Sequence, residues 1–566
     1  MKKFLSLILA GAMVLSLTAC SGSGSSGTSA PAASQAAAPA AQETTKAALN
    51  TEVKNAASGA GQTLVTETTP APSAQVDVST KKSELVVATT AEPDVFMPFD
   101  DRAANTNDDS ILLQNVYECA FRLMPDGSLT PWLATGYDWS EDGKDLTVHF
   151  RDDVYFSNGD PMTADDVVFS WTNAQAERSV RSLWGNYFVG VEKTGDYDVT
   201  VHMSNPYPPV LVAGVSGRSG GVANKKLYEE IGADAYRANP VGTGPYKLTE
   251  AVTADHMTFE INENYWGEKK PFYKKITLKF LTDQNTQILA LETGDIDVLL
   301  NCGLSQVLKL DPNGKHGYET AFTAGCMSLS LNCNETVTKN KDFRKALQYA
   351  INREDINTVV YEGLSQVTDI PYPPFFTDVP DEGTYTPVPE YDPEKAKEYL
   401  AKSGYNGEEF VLACQAGKKA ETGAQIIQGQ LINIGINCSV KALDSASNRA
   451  MLNSGTGYNA NAFDTVQTAM DISLCAGNST KYARETGTQN VTIPDDPEMD
   501  EWVYALIAES DSAKRKELGA KILSRVNEEA YSIPLILEYN VSAWDKSVEG
   551  IKSRPYTGLY FFSEWY

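Results

Sequence analysis

Apolar and polar positions along this chain repeat with two periods, and the changes of period mark its elements. Glu84-Leu85-Val86-Val87-Ala88-Thr89 is an apolar, β-branched run that predicts a strand, and Ile276-Thr277-Leu278-Lys279-Phe280 alternates with period two as another. Gln284 to Thr293 then reads as a helix and Gly294 to Val298 as the next strand, an order that suits a parallel sheet. Met327 to Asn332 predicts a further strand. Phe343, Ala346, Leu347, Ala350 and Ile351 follow the spacing of a core-facing helix. Asp109 to Phe121 predicts a helix with Ile111, Leu112, Asn115 and Val116 near one face. Punctuation sets several boundaries. Asp392 and Pro393 start a helix that stops before Gly404, and Gln425 to Ile434 stops at Gly435. Ser512 to Glu529 forms the last long helix, ahead of a strand at Ile533-Pro534-Leu535-Ile536. Between residues 131 and 171, strand-like segments are separated by turns at Asp142-Gly143 and Asn158-Gly159. They feed a helix capped by Thr163, with Val167, Val168 and Trp171 on one side. The class is α/β.

The first eighty residues have neither period. Lys2 and Lys3, an apolar stretch from Phe4 to Leu17, and Leu17-Thr18-Ala19-Cys20 make a secretory signal over 1–19. Its end resembles the bacterial lipobox, which implies that Cys20 becomes a lipidated first residue. Several acyl chains on one cysteine, at ~0.8 kcal/mol per buried CH₂, would hold firmly to a membrane. Residues 20–82 are rich in Ser, Gly, Ala, Thr and Pro, too poor in large apolar groups to repay ordering, and are expected to form a flexible tether. Such a tether reaches roughly 40 Å. Gly22-x-Gly24-x-x-Gly27 formally matches a dinucleotide fingerprint, but no strand precedes it and no helix follows.

With 566 residues, the chain exceeds one domain. No apolar run after the N-terminus reaches the ~18–20 residues of a membrane span. The formal charge is −27, and removing residues 1–19 with Lys2 and Lys3 leaves −29. Nucleic acid and anionic lipid are poor partners for that charge. Apart from Cys20, the seven cysteines 119, 302, 326, 333, 414, 438 and 475 are widely spaced with no C-x-x-C, which argues against a zinc site and favours buried thiols. None of His149, His202, His256 and His316 pairs at i+4 spacing, so neither a resident metal nor a cofactor is expected. One enzyme reading exists. Gly217-x-Ser219-x-Gly221, between a strand-like Val210 to Val215 and a helix-like Leu227 to Ile231, matches a nucleophile elbow. A triad there needs an acid and either His256, in a strand-like segment, or His316, in the turn 312–317.

The stretch 131–171 resembles, as a string, the signature of the family 5 extracytoplasmic solute-binding proteins, the peptide- and nickel-type receptors of bacterial ABC importers. The matching pieces are Pro131-x-Leu133-Ala134, Ser140-x-Asp142-Gly143, Val148-x-Phe150-Arg151, Phe156-x-Asn158-Gly159 and Thr163-Ala164-x-Asp166-Val167. Gly242-Thr243-Gly244-Pro245-Tyr246 and Phe343-Arg344-Lys345-Ala346-Leu347 extend the likeness over about 85–566. The resemblance implies a non-catalytic, monomeric receptor with the two-lobed periplasmic-binding-protein fold, type II, carrying an extra β-rich subdomain. Lobe I would comprise 83–127, 219–325 and 535–566, the inserted subdomain 128–218, and lobe II 326–534. It implies a lipid-anchored protein on the outer face of the cell membrane, delivering a small solute, foremost a short peptide, to permease subunits. Other solutes of the fold are nickel chelates, oligosaccharides and opine-like compounds. Carried over residue by residue, Asp471 would meet a ligand ammonium, and Gln467 and Ala469 would pair with it as an added strand. Asp471 equally suits a helix cap before Ile472. Trp184 and Tyr187 would face the cleft from the inserted subdomain or pack in its core, and Arg102, Asn105 and Thr106 occupy the loop after the first strand.

Overall fold

A computed structural model describes residues 81–93, 96–100, 107–124, 128–176, 187–310, 314–372, 376, 378–417, 419–466, 472–473, 496–552 and 560–566. Strand β1 (Glu84–Thr89) is followed by a small hairpin, β2 (Phe121–Leu123) with β3 (Leu129–Pro131). Then come β4 (Ala134–Trp139), β5 (Asp145–Phe150), β6 (Phe188–Lys193) and β7 (Asp198–Met203), an antiparallel sheet in the order β4-β5-β7-β6. The remaining strands are β8 (Tyr246–Val252), β9 (His256–Ile261), β10 (Lys275–Phe280), β11 (Val298–Leu299), β12 (His316–Leu331), β13 (Phe410–Gln415), β14 (Cys438–Leu443), β15 (Ala460–Val466) and β16 (Ser532–Asp545). With β1 they make one ten-stranded sheet in the order β14-β13-β15-β12-β16-β11-β1-β10-β9-β8.

The two long strands in the middle hold this sheet together. β12 and β16 pair antiparallel from His316↔Asp545 to Ser330↔Ser532, so each serves one half of the sheet at either end. In the first half β1 lies parallel between β10 and β11, and in the second β13 lies parallel between β14 and β15. Because the sheet is continuous, the described residues from Lys81 onward cluster as one unit.

Capping explains where the helices sit. Asp392 accepts from the Lys395 N–H, Pro393 occupies the first turn, and Gly404 closes Pro393–Ser403 at φ 71°. Asp283 and Gly294 bound Gln284–Thr293 in the same way. Thr163 precedes Ala164–Ala176, and the Asp166 carboxylate accepts from both the N–H (2.9 Å) and the hydroxyl (3.0 Å) of Thr163. The turns at Gly143 and Gly159 take φ of 69° and 88°, the left-handed region glycine allows. Leu146, Val148 and Phe150 of β5 alternate inward against Trp171, which is fully buried.

Several elements differ from expectation, each for a packing reason. Val210–Gly214 is a wholly buried helical turn of π type, not a strand, since every position is apolar and Pro209 starts it. β12 begins at His316, where a turn was expected, because Gly317 leaves room for the Trp544 ring, which a Cβ there would approach to 3.2 Å. The helix expected from Gln425 starts at Lys419, with Gly423 tolerated inside it where a Cβ would sit 3.0 Å from Met327 Sδ. The first helix, Asn107–Val116, stops short of Phe121 because Gly242 and Gly244 press against its last carbonyls. The strand expected at Gly294–Val298 shrinks to β11, with Asp297 turned to accept from Val86 N–H and Lys82.

Candidate functional site

Strand register alone brings the strand ends of both halves to one level. The carboxyl end of β11 lies beside Ala543 of β16, and Cys302 N–H reaches Val541 O at 3.0 Å. From the other half, β15 ends at Val466 opposite Gly325 of β12, beside Leu537 of β16. Both sets of parallel strands therefore aim their carboxyl ends at one short span, Glu538–Asn540 of β16 and Ala321–Gly325 of β12. Crevices at such ends are where α/β sheets bind ligands. At this span β12 carries two more residues than β16 between the pairs Phe322–Tyr539 and Cys326–Leu537. The bulge interrupts pairing where the two halves would have to bend.

A charged and aromatic wall joins central β16 to side chains of the second half. Glu538, 8% exposed, accepts from the Tyr361 hydroxyl and from Lys419 Nζ at 3.0 Å. Lys419 comes from the segment just past β13, and its Nζ lies 4.6 Å from the Tyr361 ring and 5.7 Å from the Tyr539 ring. Burial, then Glu538 and Glu362, push the Tyr539 hydroxyl up to about 12, so it stays protonated at neutral pH. On the first half, Asn301 takes φ 55°, an uncommon conformation for a non-glycine residue. Its Oδ1 lies 3.3 Å from the Tyr560 hydroxyl, which is 3.0 Å from Ser542 Oγ, and its Nδ2 is 3.5 Å from Thr89 Oγ1.

A separate small cavity of about 40 Å³ lies among Gln114, Glu118, Arg122, Trp132, Ser216 and Tyr265. It has room for little more than a water or two. The Glu118 carboxylate accepts from Trp132 Nε1 (2.6 Å), Trp266 Nε1 (2.7 Å) and Thr243 Oγ1 (2.9 Å). Burial raises its pKa against those bonds. This network ties the Gly242–Tyr246 turn to the first helix and is structural.

Most residues singled out from the sequence fall outside the described ones: Cys20, Arg102, Asn105, Thr106, Trp184, Gln467, Ala469 and Asp471. Tyr187 is described. It precedes β6, its ring meets buried Tyr207 edge-on at 5.9 Å, and its carbonyl accepts from Ser204 N–H at 2.7 Å. The hydrolase arrangement is not formed among the described residues. Ser219 Oγ is buried without a hydrogen-bond partner, and the expected strand before it is a helical turn. His256 bonds Asp255 (2.7 Å) and Glu250 (3.4 Å), while His316 bonds Leu291 O (3.2 Å). His149 sits between Asp198 (2.7 Å) and Asp138 (3.0 Å). Among the described residues, no group of three or more His, Cys, Asp or Glu is placed to hold a metal. Cys119, Cys302, Cys333, Cys414 and Cys438 are free thiols, and burial pushes those of Cys119, Cys302, Cys333 and Cys438 up to about 12. No described helix is long and apolar enough to cross a membrane.

Sequence reasoning missed Tyr361, Lys419, Glu538 and Tyr539. A signal was present, since Glu538 is the one charge inside the otherwise apolar run Ile533–Tyr539.

Known proteins agree with this geometry. The chain is 29% identical over 455 residues to the nickel-binding periplasmic protein of Escherichia coli K12, covering 74% of this chain and 83% of that one. It is 26% identical over 492 residues to the glutathione-binding protein GsiB of Escherichia coli O1:K1, covering 84% and 93%. The solved structure of the Helicobacter pylori periplasmic binding protein DppA, in complex with peptide STSA, superposes with a TM-score of 0.73 at 24% identity, covering 85% and 98%. The fold is the two-lobed one of periplasmic binding proteins, and these relatives are transporter binding proteins rather than enzymes. The family model for the middle region of bacterial extracellular solute-binding proteins, family 5, matches residues 128–479, well over half of the chain, and the chain belongs to that family of ABC-importer receptors.

Proposed function

We propose that this chain is the lipid-anchored receptor of an ABC importer, capturing a short peptide between its lobes and delivering it to the permease. One observation carries the reading: the strand ends of both halves converge on the β12–β16 bulge, beside a wall of acid, ammonium and tyrosine. Charged ends and hydrogen-bonding groups of a peptide suit such a lining, and bending at the bulge would close the crevice and exclude water. Lobe I would comprise 83–127, 219–325 and 535–566, with 128–218 inserted and 326–534 as lobe II. Arg102, Asn105, Thr106, Trp184, Tyr187, Gln467, Ala469 and Asp471 are proposed to line the crevice, Asp471 holding the peptide ammonium. Two relatives named for or solved with peptide-type ligands, glutathione and STSA, support a peptide. The 29% identity to a nickel-binding protein favours a nickel chelate as the second reading.

Mass spectrometry of solutes released from the purified chain tests the ligand. Short peptides are expected; recovery of nickel chelate or sugar alone would overturn the peptide assignment. Cys20→Ser should shift the protein from the membrane fraction to the soluble one, whereas unchanged membrane association would remove the lipid anchor.

A further inference from the structure

The wall at Glu538 holds a cation that belongs to the protein itself. We propose that Tyr361, Glu538 and Tyr539 form a subsite for a primary ammonium group of the solute, and that the Lys419 ammonium fills it here as an internal stand-in. This rests on the crevice reading above and adds a ligand class to it.

The cage is fixed while its occupant is not. The Glu538 side chain is 11% exposed and the Lys419 side chain 45%. Glu538 sits in β16 between Leu537 and Tyr539, which pair with Cys326 and Phe322 of β12, and Tyr361 is 2% exposed, with its N–H bonded to Asn357 O at 2.9 Å. The Tyr361 and Tyr539 rings stand 6.3 Å apart at 56°, so both faces attend one point in front of the carboxylate. Both rings lie within the ~6 Å over which a cation is attracted to a ring face, and a carboxylate adds a charge-assisted bond. Lys419 is the first residue of its helix, two residues past Gly417 at φ 70°, so its flexible stem can swing away without breaking a helical turn. A half-exposed lysine pays little to swing into water. An incoming ammonium can therefore replace it without leaving Glu538 buried and unpaired. The net charge of −27 also draws cations toward the protein at low salt.

The test uses the full chain and a Lys419→Ala variant, which empties the cage. In that variant, n-butylammonium chloride should raise the melting temperature above the effect of n-butanol with matched sodium chloride. Lys419→Ala/Glu538→Gln should lose that difference, since glutamine still accepts from Tyr361 but carries no charge. Equal responses to amine and alcohol in Lys419→Ala would overturn the proposal, whether or not the double variant folds. Calorimetry with Ala-Lys-Ala and Ala-norleucine-Ala is the second arm. Lys419→Ala should favour the lysine peptide by tenfold or more, and equal affinities would overturn the subsite's use in capture. If neither peptide bound while the amine still stabilised Lys419→Ala, the peptide reading would fall and the cation subsite would stand.

Discussion

At Gly242 a single methyl group decides whether the first helix and its turn can meet. A Cβ there would lie 2.1 Å from Val116 O, an overlap that backbone must move to relieve. Gly242→Ala should cost about 2–4 kcal/mol, as overpacking against backbone does, and appear as a clear drop in melting temperature. Gly136→Ala, with nothing within 4 Å, should leave the melting temperature unchanged or slightly raised. Asp378 is the complementary case, where charge rather than volume is at stake. It is fully buried and accepts from Arg515 Nε and Ser512 Oγ (2.6 Å), while Arg515 also donates to Leu506 O (2.8 Å). Asp378→Ala would strand a buried guanidinium at a cost of about 3–5 kcal/mol, read by urea denaturation, with Asp378→Asn costing less. The Gly-Thr-Gly-Pro-Tyr turn was legible as part of the family likeness, whereas Asp378 and Arg515 carry no local mark of their pairing.

Among the elements, the β4-β5-β7-β6 sheet carries the clearest pH dependence. Bonds from Asp198, then Asp138, raise the pKa of His149 above its usual 6.5 despite partial burial. A raised folded value means the proton is held more tightly in the native state. The stabilisation is full below about 6.5 and is lost as pH climbs through the higher folded pKa. The His149 side chain is 37% exposed, so the effect should be under about 1 kcal/mol. The melting temperature of His149→Gln should fall below that of the parent chain at pH 5.5, and the gap should narrow by pH 8.5. Elements with their own caps, such as Pro393–Ser403 and Gln284–Thr293, were readable to the residue because the capping groups are local. The helix from Lys419 was not, because Gly423 looks like a breaker until Met327 is seen to need its space.

For the whole molecule, the proposed closure puts its pivot at the bulge between Phe322 and Cys326. Saturating the protein with its co-purified solute should lower the radius of gyration in small-angle X-ray scattering. An unchanged radius would argue against closure about this point. The crevice itself was legible only as an implication of family likeness, since no sequence period reports that β11 and β15 end at the same level of β12 and β16.

What the sequence by itself determined was the local grammar: α/β class, most caps and turns, and a signature specific enough to imply the family. These follow from interactions within a few residues. Only the tertiary structure decided that Lys419, Tyr361, Glu538 and Tyr539 meet. Their separations in the chain run from 1 to 178 residues. Pairing of strands, not any property of the residues alone, sets which of them share a level.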